Sequence, residues 1–239
     1  DIMKNWYVIP ARSGSKGLPG KNRILFDYTA EKIPKKIRDR VIVTTDDSEI
    51  CKAAETYGFV VQKRSKKNSS DLASTRDVLL EVSKEMNMED DDNITLLYLT
   101  YPSRRWSDVL RAHKTFREEN SSSLLCKKKI EVTPYLMFFE VEGNRGKKVI
   151  DHDLCRRQDY KPCFEMSHYV GVFRVGDLSS LDTNLWRHDT IFMEISNEVD
   201  VDYKGHDALQ TLNDFKKDEN TINIHCYSSI ESVSKNILK

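Results

Sequence analysis

A loop rich in glycine and cations follows the first apolar run of the sequence. The stretch Ile9–Asn22 reads IPARSGSKGLPGKN and holds three glycines, two serines and three cations. Glycines let backbone N–H groups approach an anion closely, and the side chains of Arg12, Lys16 and Lys21 can neutralise phosphate charge. Because α/β sheets bind ligands beyond the carboxyl ends of their strands, the stretch is interpreted as a phosphate-binding loop.

The spacing within this loop differs from that of a Walker A loop. Five residues rather than four separate Gly14 from the pair Gly20-Lys21. Asn22 stands where a Walker A loop has the serine or threonine that holds magnesium. The pattern therefore disfavours GTPase or ATPase chemistry of that type.

A pair of aspartates lies much further along the chain, in the segment Val199–Asp202, which reads VDVD. In an extended strand alternate side chains share one face, so Asp200 and Asp202 would lie on the order of 7 Å apart at the backbone. Mg²⁺ is usually held by one or two carboxylates together with substrate phosphates and water. An alternating segment is also typical of a half-exposed strand, but beside a phosphate loop we interpret the pair as Mg²⁺ ligands.

Short apolar runs alternate with amphipathic stretches through the first 125 residues. This alternation is typical of successive βα units, so the predicted fold class is α/β with a largely parallel sheet. Helix N-caps are predicted at Asp47, Thr75 and Ser107. The predicted strands are Trp6–Pro10, Val41–Thr45, Phe59–Gln62 and Ile94–Leu99.

The chain is predicted to form a single domain over residues 1–239, with an insert at approximately 130–175. The insert has hairpin character, because two strand-like runs flank a polar stretch with two glycines. Those runs are Tyr135–Val141 and Tyr169–Val175. Regular alternation then resumes, with strands Ile191–Ile195 and Val199–Asp202, a helix carrying Ala208, Leu209, Leu212 and Phe215, and a last strand near Ile222–His225.

Composition limits the function classes. The 239 residues contain 38 basic and 38 acidic side chains, which argues against nucleic-acid binding by charge alone. No run approaches the roughly 18 apolar residues of a membrane span, and no signal peptide is recognisable at the N-terminus. The five cysteines form an odd set without metal-type spacing, which favours reduced thiols and a cytoplasmic location.

The loop Ile9–Asn22 resembles the signature of the acylneuraminate cytidylyltransferases, the family that makes CMP-activated sialic and related nonulosonic acids. Three further segments resemble the family: residues 41–50, 69–81 and 199–209. The resemblance implies a Rossmann-like three-layer nucleotidyltransferase fold with a small β-rich dimerisation insert. It also implies transfer of CMP from CTP to an acidic nine-carbon sugar, with Mg²⁺ as cofactor and pyrophosphate as product. A homodimer is expected, in which the insert of one subunit reaches toward the partner's active site.

The resemblance also implies roles for individual residues. Arg12, Lys21 and Asp202 are expected to be catalytic, with Lys21 nearest the α-phosphate, and Asp200 shares the metal with Asp202. The expected nucleotide contacts are Ala11, Ser13, Gly14, Ser15, Lys16, Asn22, Ser74 and Thr100. The expected sugar contacts are Arg105, Arg157, Gln158 and Tyr169.

Two departures from the family pattern leave the substrates open. The segment Leu99–Arg105, LTYPSRR, replaces the family's LQPTSPLR near the base, so GTP is an alternative donor. The segment SHYVGVF at 167–173 replaces an asparagine-glycine element in the sugar pocket, so legionaminic acid, pseudaminic acid or an eight-carbon acid are alternative acceptors. A non-catalytic nucleotide- or sugar-binding protein is the alternative of another class, which the joint presence of the cations and the aspartate pair disfavours.

Overall fold

The computed structural model describes residues 4–14, 19–70, 72–130, 132–196, 198–202 and 208–219. Its strands are β1 (Asn5–Pro10), β2 (Val41–Thr45), β3 (Val60–Lys63), β4 (Asn93–Leu96), β5 (Ser123–Lys129), β6 (Phe138–Val141), β7 (Arg145–Lys148), β8 (Phe164–Arg174) and β9 (Ile191–Glu194). Its helices are α1 (Lys21–Ala30), α2 (Ser48–Tyr57), α3 (Thr75–Glu85), α4 (Trp106–Glu119) and α5 at residues 208–219.

Seven strands form one central sheet in the order β3-β2-β1-β4-β8-β5-β9. The first four strands of this order are parallel, and β8 runs antiparallel to both β4 and β5. Strand side chains alternate between faces, so Val8 and Ile9 belong to two different core clusters. Ile9 packs with α1, α2 and α4 on one face, whereas Val8 packs with α3 on the other. The result is the three-layer α/β architecture that the sequence predicts.

The N-caps of the helices can be compared with those that the sequence predicts. Asp47 accepts hydrogen bonds from the N–H groups of Glu49 and Ile50, which confirms it as the cap of α2. The predicted cap of α3 is wrong by one residue, because Ser74 is extended and its hydroxyl accepts from Asp77 N. Helix α4 begins at Trp106, ahead of the predicted cap Ser107.

The end of the predicted insert belongs to the central sheet. Strand β8 includes the predicted run Tyr169–Val175 almost entirely and lies between β4 and β5. Among the described residues, β6 and β7 alone form a separate two-stranded hairpin. The segment that leaves the sheet is therefore shorter than the predicted 130–175, since β5 and β8 still pair at Lys129 and Phe164.

The predicted strand Val199–Asp202 is wrong, because the segment forms a turn. Val201 N donates to Thr100 O at 2.9 Å, and Val199 N donates to Ser103 Oγ at 3.0 Å. These backbone groups are thus satisfied by the loop after β4 rather than by a neighbouring strand. The last predicted strand, Ile222–His225, lies outside the described residues.

Helix α5 buries Leu212 and Phe215, as its apolar spacing predicts, whereas Leu209 is half exposed. Across the described residues, none of the helices combines the length and apolarity that a bilayer span requires.

An ion pair anchors the turn at residues 198–202. Glu198 is almost fully buried; its carboxylate accepts from Lys128 Nζ at 2.6 Å and from Ser167 Oγ at 2.7 Å.

We expect Glu198→Ala to lower the free energy of unfolding by about 1–3 kcal/mol, because it leaves a half-buried ammonium without its main partner. Urea denaturation measures this. The control Glu194→Ala removes the exposed pair with Lys129, at 3.8 Å, and should cost less than about 1 kcal/mol. Equal losses in the two variants would contradict an anchoring role for Glu198.

Candidate active site

A polar cleft of about 230 Å³ opens at the carboxyl edge of the parallel strands. Parallel strands end at the same edge, so the segments that follow β1, β3 and β4 meet there with the start of α3. The cleft is lined by Pro10, Arg12, Gly14, Lys21, Asn22, Arg64, Asn68, Ser70, Ala73, Thr75, Val78, Tyr98, Leu99, Thr100 and Asp202. Six of these residues, Arg12, Gly14, Lys21, Asn22, Thr100 and Asp202, are site residues predicted from the sequence.

Lys21 joins the two predicted parts of the site. Its ammonium donates a hydrogen bond to the carboxylate of Asp202, 181 positions further along the chain. Lys21 is the first residue of α1 and directly follows Gly20, whose φ of 71° is a left-handed conformation that favours glycine. The Lys21 side chain is almost buried, whereas that of Asp202 is half exposed. The phosphate loop and the acidic turn therefore meet at one edge of the cleft.

Several predicted nucleotide contacts hold the loop in shape. Asn22 Nδ2 donates to Arg12 O at 2.9 Å, which closes the loop onto the start of α1. The N–H and hydroxyl of Ser13 both donate to Asp46, at 2.7 and 2.8 Å. Ala11 is buried, and its N–H donates to Thr44 O. Ala11 and Ser13 thus stabilise the loop through hydrogen bonds and do not line the cleft.

Arg64 is a cleft residue that the sequence analysis did not identify. It follows β3 directly, and burial lowers the pKa of its guanidinium, an effect partly offset by Asp46. Its Nε is buried and has no hydrogen-bond partner among the described residues. A half-buried guanidinium in a polar cleft is suited to a phosphate or carboxylate. A cation at the end of a parallel strand is the sequence signal that could have indicated it.

We expect Arg64→Met to raise the KM for the nucleotide roughly 10- to 100-fold, since a charge-assisted hydrogen bond contributes about 1.5–3 kcal/mol. Steady-state kinetics against nucleotide concentration measures the change. Arg111→Met is the matched control, because Arg111 is half exposed on α4 and does not line the cleft. An unchanged KM in Arg64→Met would remove Arg64 from the nucleotide site.

The two aspartates predicted to bind metal take different positions on the turn. Asp202 lines the cleft, whereas the carboxylate of Asp200 accepts from Asp202 N at 2.9 Å and from the hydroxyl of Tyr101. Burial raises the pKa of Asp200, and the charges of Asp202 and Glu198 act in the same direction. The two carboxylates, one of them open to the cleft, fit Mg²⁺ that is also bound by nucleotide phosphates.

Three predicted residues have other contacts and do not line the cleft. The hydroxyl of Ser74 caps α3, although its neighbours Ala73 and Thr75 line the cleft. Tyr169 is buried, and its hydroxyl donates to Asp108 at 2.8 Å. Arg105 pairs with the same carboxylate at 3.2 Å. The structure therefore does not bring Arg105 and Tyr169 to the cleft as sugar contacts; they form a polar cluster around Asp108.

The remaining predicted sugar contacts lie in the insert. Arg157 lines a groove of about 500 Å³ with residues that flank the β6–β7 hairpin, and Gln158 is exposed in the adjoining turn. Neither residue lines the cleft. The predicted nucleotide contacts Ser15 and Lys16 lie outside the described residues.

The sheet order and the phosphate-type loop after β1 define a nucleotidyltransferase with a Rossmann-like three-layer fold. A family profile described as Cytidylyltransferase matches residues 6–137, more than half of the chain. The chain belongs to this cytidylyltransferase family, which confirms the resemblance seen in the sequence, and it is an enzyme of this type.

Two curated relatives and one solved structure show the range of the similarity. The chain is 30% identical over 188 residues to the pseudaminic acid cytidylyltransferase of Campylobacter jejuni, covering 73% of this chain and 78% of the relative. It is 28% identical over 209 residues to post-translational flagellin modification protein B of Campylobacter coli, covering 82% of this chain and 88% of the relative. The solved CMP:2-keto-3-deoxy-manno-octonic acid synthetase complexed with CTP shares the fold, with a TM-score of 0.64 and 18% identity. The match covers 91% of this chain and 99% of the solved chain.

Proposed function

We propose that this enzyme transfers CMP from CTP to an acidic nonulosonic sugar and releases pyrophosphate. The contact between Lys21 and Asp202 is the observation that carries the proposal, because it unites a phosphate loop with a metal-type carboxylate. Arg12 and Arg64 line the same cleft, so three cations face the place where a triphosphate would lie. A cleft with this charge suits a nucleotide better than a neutral ligand.

In the proposed reaction, the anomeric hydroxyl of the sugar attacks the α-phosphate of CTP. The protein contributes alignment and charge stabilisation rather than covalent chemistry. Lys21 and Arg12 stabilise the charge that develops on the phosphates, and Asn22 keeps the loop closed through Arg12 O. Asp202 and Asp200 would hold Mg²⁺, which when bound would neutralise part of the triphosphate charge.

The acceptor that we propose is pseudaminic acid or a close stereoisomer. The support is the pseudaminic acid cytidylyltransferase of Campylobacter jejuni, with which the chain shares 30% of 188 aligned residues. N-acylneuraminate cytidylyltransferases are also relatives; that of Streptococcus agalactiae is 27% identical over 172 residues. N-acylneuraminic acid, legionaminic acid and an eight-carbon acid are therefore the acceptors to compare.

The proposal is tested by measuring pyrophosphate release with each of the four NTPs, Mg²⁺ and these sugar acids. We expect release that requires CTP together with one nine-carbon acid, and a CMP-sugar identified by mass. Release with GTP instead would contradict the proposed donor. If no acceptor reacts, mass spectrometry of bound ligands would distinguish a transferase from a binding protein, because CTP binding without transfer indicates a nucleotide-binding protein.

We further propose that the enzyme acts as a homodimer through its insert. Large apolar side chains are exposed there, with Phe138 65% and Phe139 62% accessible. Such a patch is typical of a protein interface. Arg157 and Gln158 do not line the cleft of their own chain, which is consistent with their reaching the partner's cleft and binding the carboxylate of its sugar.

We expect Phe139→Glu to convert a dimer into a monomer in sedimentation velocity. Leu110→Glu is the matched control, since Leu110 is 55% exposed on α4, away from the insert. Mixing inactive Lys21→Met with inactive Arg157→Ala subunits should restore part of the activity, because one cleft of the mixed dimer then has both residues. A wild-type monomer, or mixed subunits without activity, would contradict the shared site.

The cytoplasmic location and the absence of a nucleic-acid or membrane partner also remain proposals. Equal numbers of basic and acidic residues, 38 each, support the absence of a nucleic-acid partner. The four cysteines within the described residues are free thiols, which is usual in a reducing compartment.

A further inference from the structure

A small niche lies between the last turn of α1 and the first turn of α4, apart from the cleft. Its volume is about 10 Å³, which is close to the space that one water molecule or one small ion needs. Thr29, Lys32, Arg104 and Arg105 supply its polar lining, and apolar side chains complete it. None of the carboxylates among the described residues lines the niche.

Arg104 is the unusual residue of this niche, because it is a buried cation without a bonded carboxylate. Only 5% of the residue is exposed. Its Nε donates to Tyr169 O at 2.6 Å, and Nη2 donates to Tyr98 O. Nη1 is buried and has no partner among the described residues. Buried charges in proteins are normally paired, so this guanidinium calls for an anionic partner.

The other cations near Arg104 have carboxylates close to them. Burial lowers the pKa of Arg104 to about 10; burial also lowers the pKa of Lys32, and the charge of Arg104 acts in the same direction. Lys32 is also close to Glu31 and Glu219, and Arg105 is paired with Asp108. Of the three cations that line the niche, Arg104 therefore has the positive charge that nearby carboxylates neutralise least.

Two further groups could bind an anion at this place. The hydroxyl of Thr29 is buried and has no hydrogen-bond partner among the described residues. Helix α4 begins here, and its N-cap residue Arg105 makes no side-chain cap hydrogen bond. A helix N-terminus carries partial positive charge and favours an anion.

We propose that the niche binds a small monovalent anion of halide size between Arg104, Thr29 and the N-terminus of α4. The anion joins α1 and α4 to the loop that follows β4. Thr100 in this loop lines the cleft and accepts a hydrogen bond from Val201 N. The anion thus supports the loop that contacts both the nucleotide cleft and the acidic turn. The inference rests on the niche alone and does not depend on the proposed reaction.

Bromide provides a direct test. Crystals grown with bromide as the halide should show an anomalous peak within hydrogen-bond distance of Arg104 Nη1. At constant ionic strength, replacing gluconate by chloride should raise Tm by about 2–4 °C once chloride exceeds its Kd several-fold, and above Kd the rise should follow the logarithm of the chloride concentration. A water molecule at the position, with no bromide peak, would overturn the proposal.

The variant Thr29→Val keeps the size of the side chain and removes one donor. We expect the protein to remain folded. The apparent Kd for chloride, obtained from the dependence of Tm on chloride, should rise at least threefold. Thr44→Val is the matched control, because Thr44 has an equally buried hydroxyl without a partner but does not line the niche. Identical chloride dependence in the two variants and the wild type would show a general salt effect and contradict the site.

Discussion

Replacement of Lys21 by methionine is expected to lower kcat about 100- to 1,000-fold, because preorganised cations that face developing phosphate charge supply a large part of such catalysis. The Lys21 ammonium is held by Asp202 at the edge of the cleft, so it is already positioned before substrates bind. Methionine keeps the length and the apolar packing of the side chain while it removes the charge. Pyrophosphate release under saturating substrates measures the effect.

The fold should survive this replacement. Asp202 is half exposed, and a partly exposed ion pair contributes less than about 1 kcal/mol to stability. Lys52→Met is the matched control, since Lys52 forms an exposed pair with Glu49 on α2 and should retain full activity. A Lys21→Met variant with wild-type kcat would remove Lys21 from the chemistry and, with it, the main support for the proposed site.

Asp202→Asn is expected to abolish the effect of Mg²⁺ on CTP binding and to lower kcat by about 100-fold or more, because a bound metal ion stabilises charge in the transition state by several kcal/mol. Mg²⁺ prefers carboxylate oxygens, and an asparagine supplies a neutral oxygen of the same shape. Calorimetry of CTP binding with and without Mg²⁺ separates this effect from activity. In the wild type Mg²⁺ should tighten CTP binding, and in the variant the two affinities should be similar.

The control for this experiment is Asp214→Asn, because Asp214 lies exposed on α5 and bonds to Gln210. This variant should keep the Mg²⁺ effect. If Asp202→Asn also kept it, the metal would be bound by other groups, and the turn at 198–202 would have only a structural role. The same titration with Asp200→Asn would show whether Asp200 is a ligand or only holds Asp202 in place through its N–H.

The cleft-lining residues that the sequence also singled out after β1 are specified locally. The loop after β1 is specified by adjacent residues: a strand, then glycines and cations, then a helix that begins at Lys21. Arg64 was missed because its role depends on where β3 lies in the sheet, two strands away from β1. Residues 60–64 show a cation at the end of a strand, but they do not show that this strand end lies beside the loop after β1.

The incorrect strand prediction at Val199–Asp202 has a similar cause. Alternation of apolar and charged residues fits a strand, but it fits equally a turn whose backbone is satisfied by another loop. Here Thr100 and Ser103 supply the hydrogen-bond partners. These partners lie about 100 positions away in the chain, so the segment itself does not reveal them.

Strand β5 was not predicted because its second half consists of three lysines, which suggests a solvated segment. In the fold, Lys128 pairs with buried Glu198, and Lys127 Nζ lies 4.2 Å from the centroid of the Phe164 ring. Long basic side chains can cover apolar surface while their charged ends find partners. The strand is therefore stabilised by tertiary contacts that hydropathy does not report.

The pairing of Lys129 with Phe164 gives the insert a particular freedom to evolve. Its two ends are attached to adjacent antiparallel strands, as in an ordinary β-hairpin, and a hairpin connection can in principle be as short as two residues. Sequence between these anchor points can lengthen, shorten or diverge without moving the register of the central sheet. The insert can thus differ in length and sequence from one family member to another while the central sheet and its cleft stay the same.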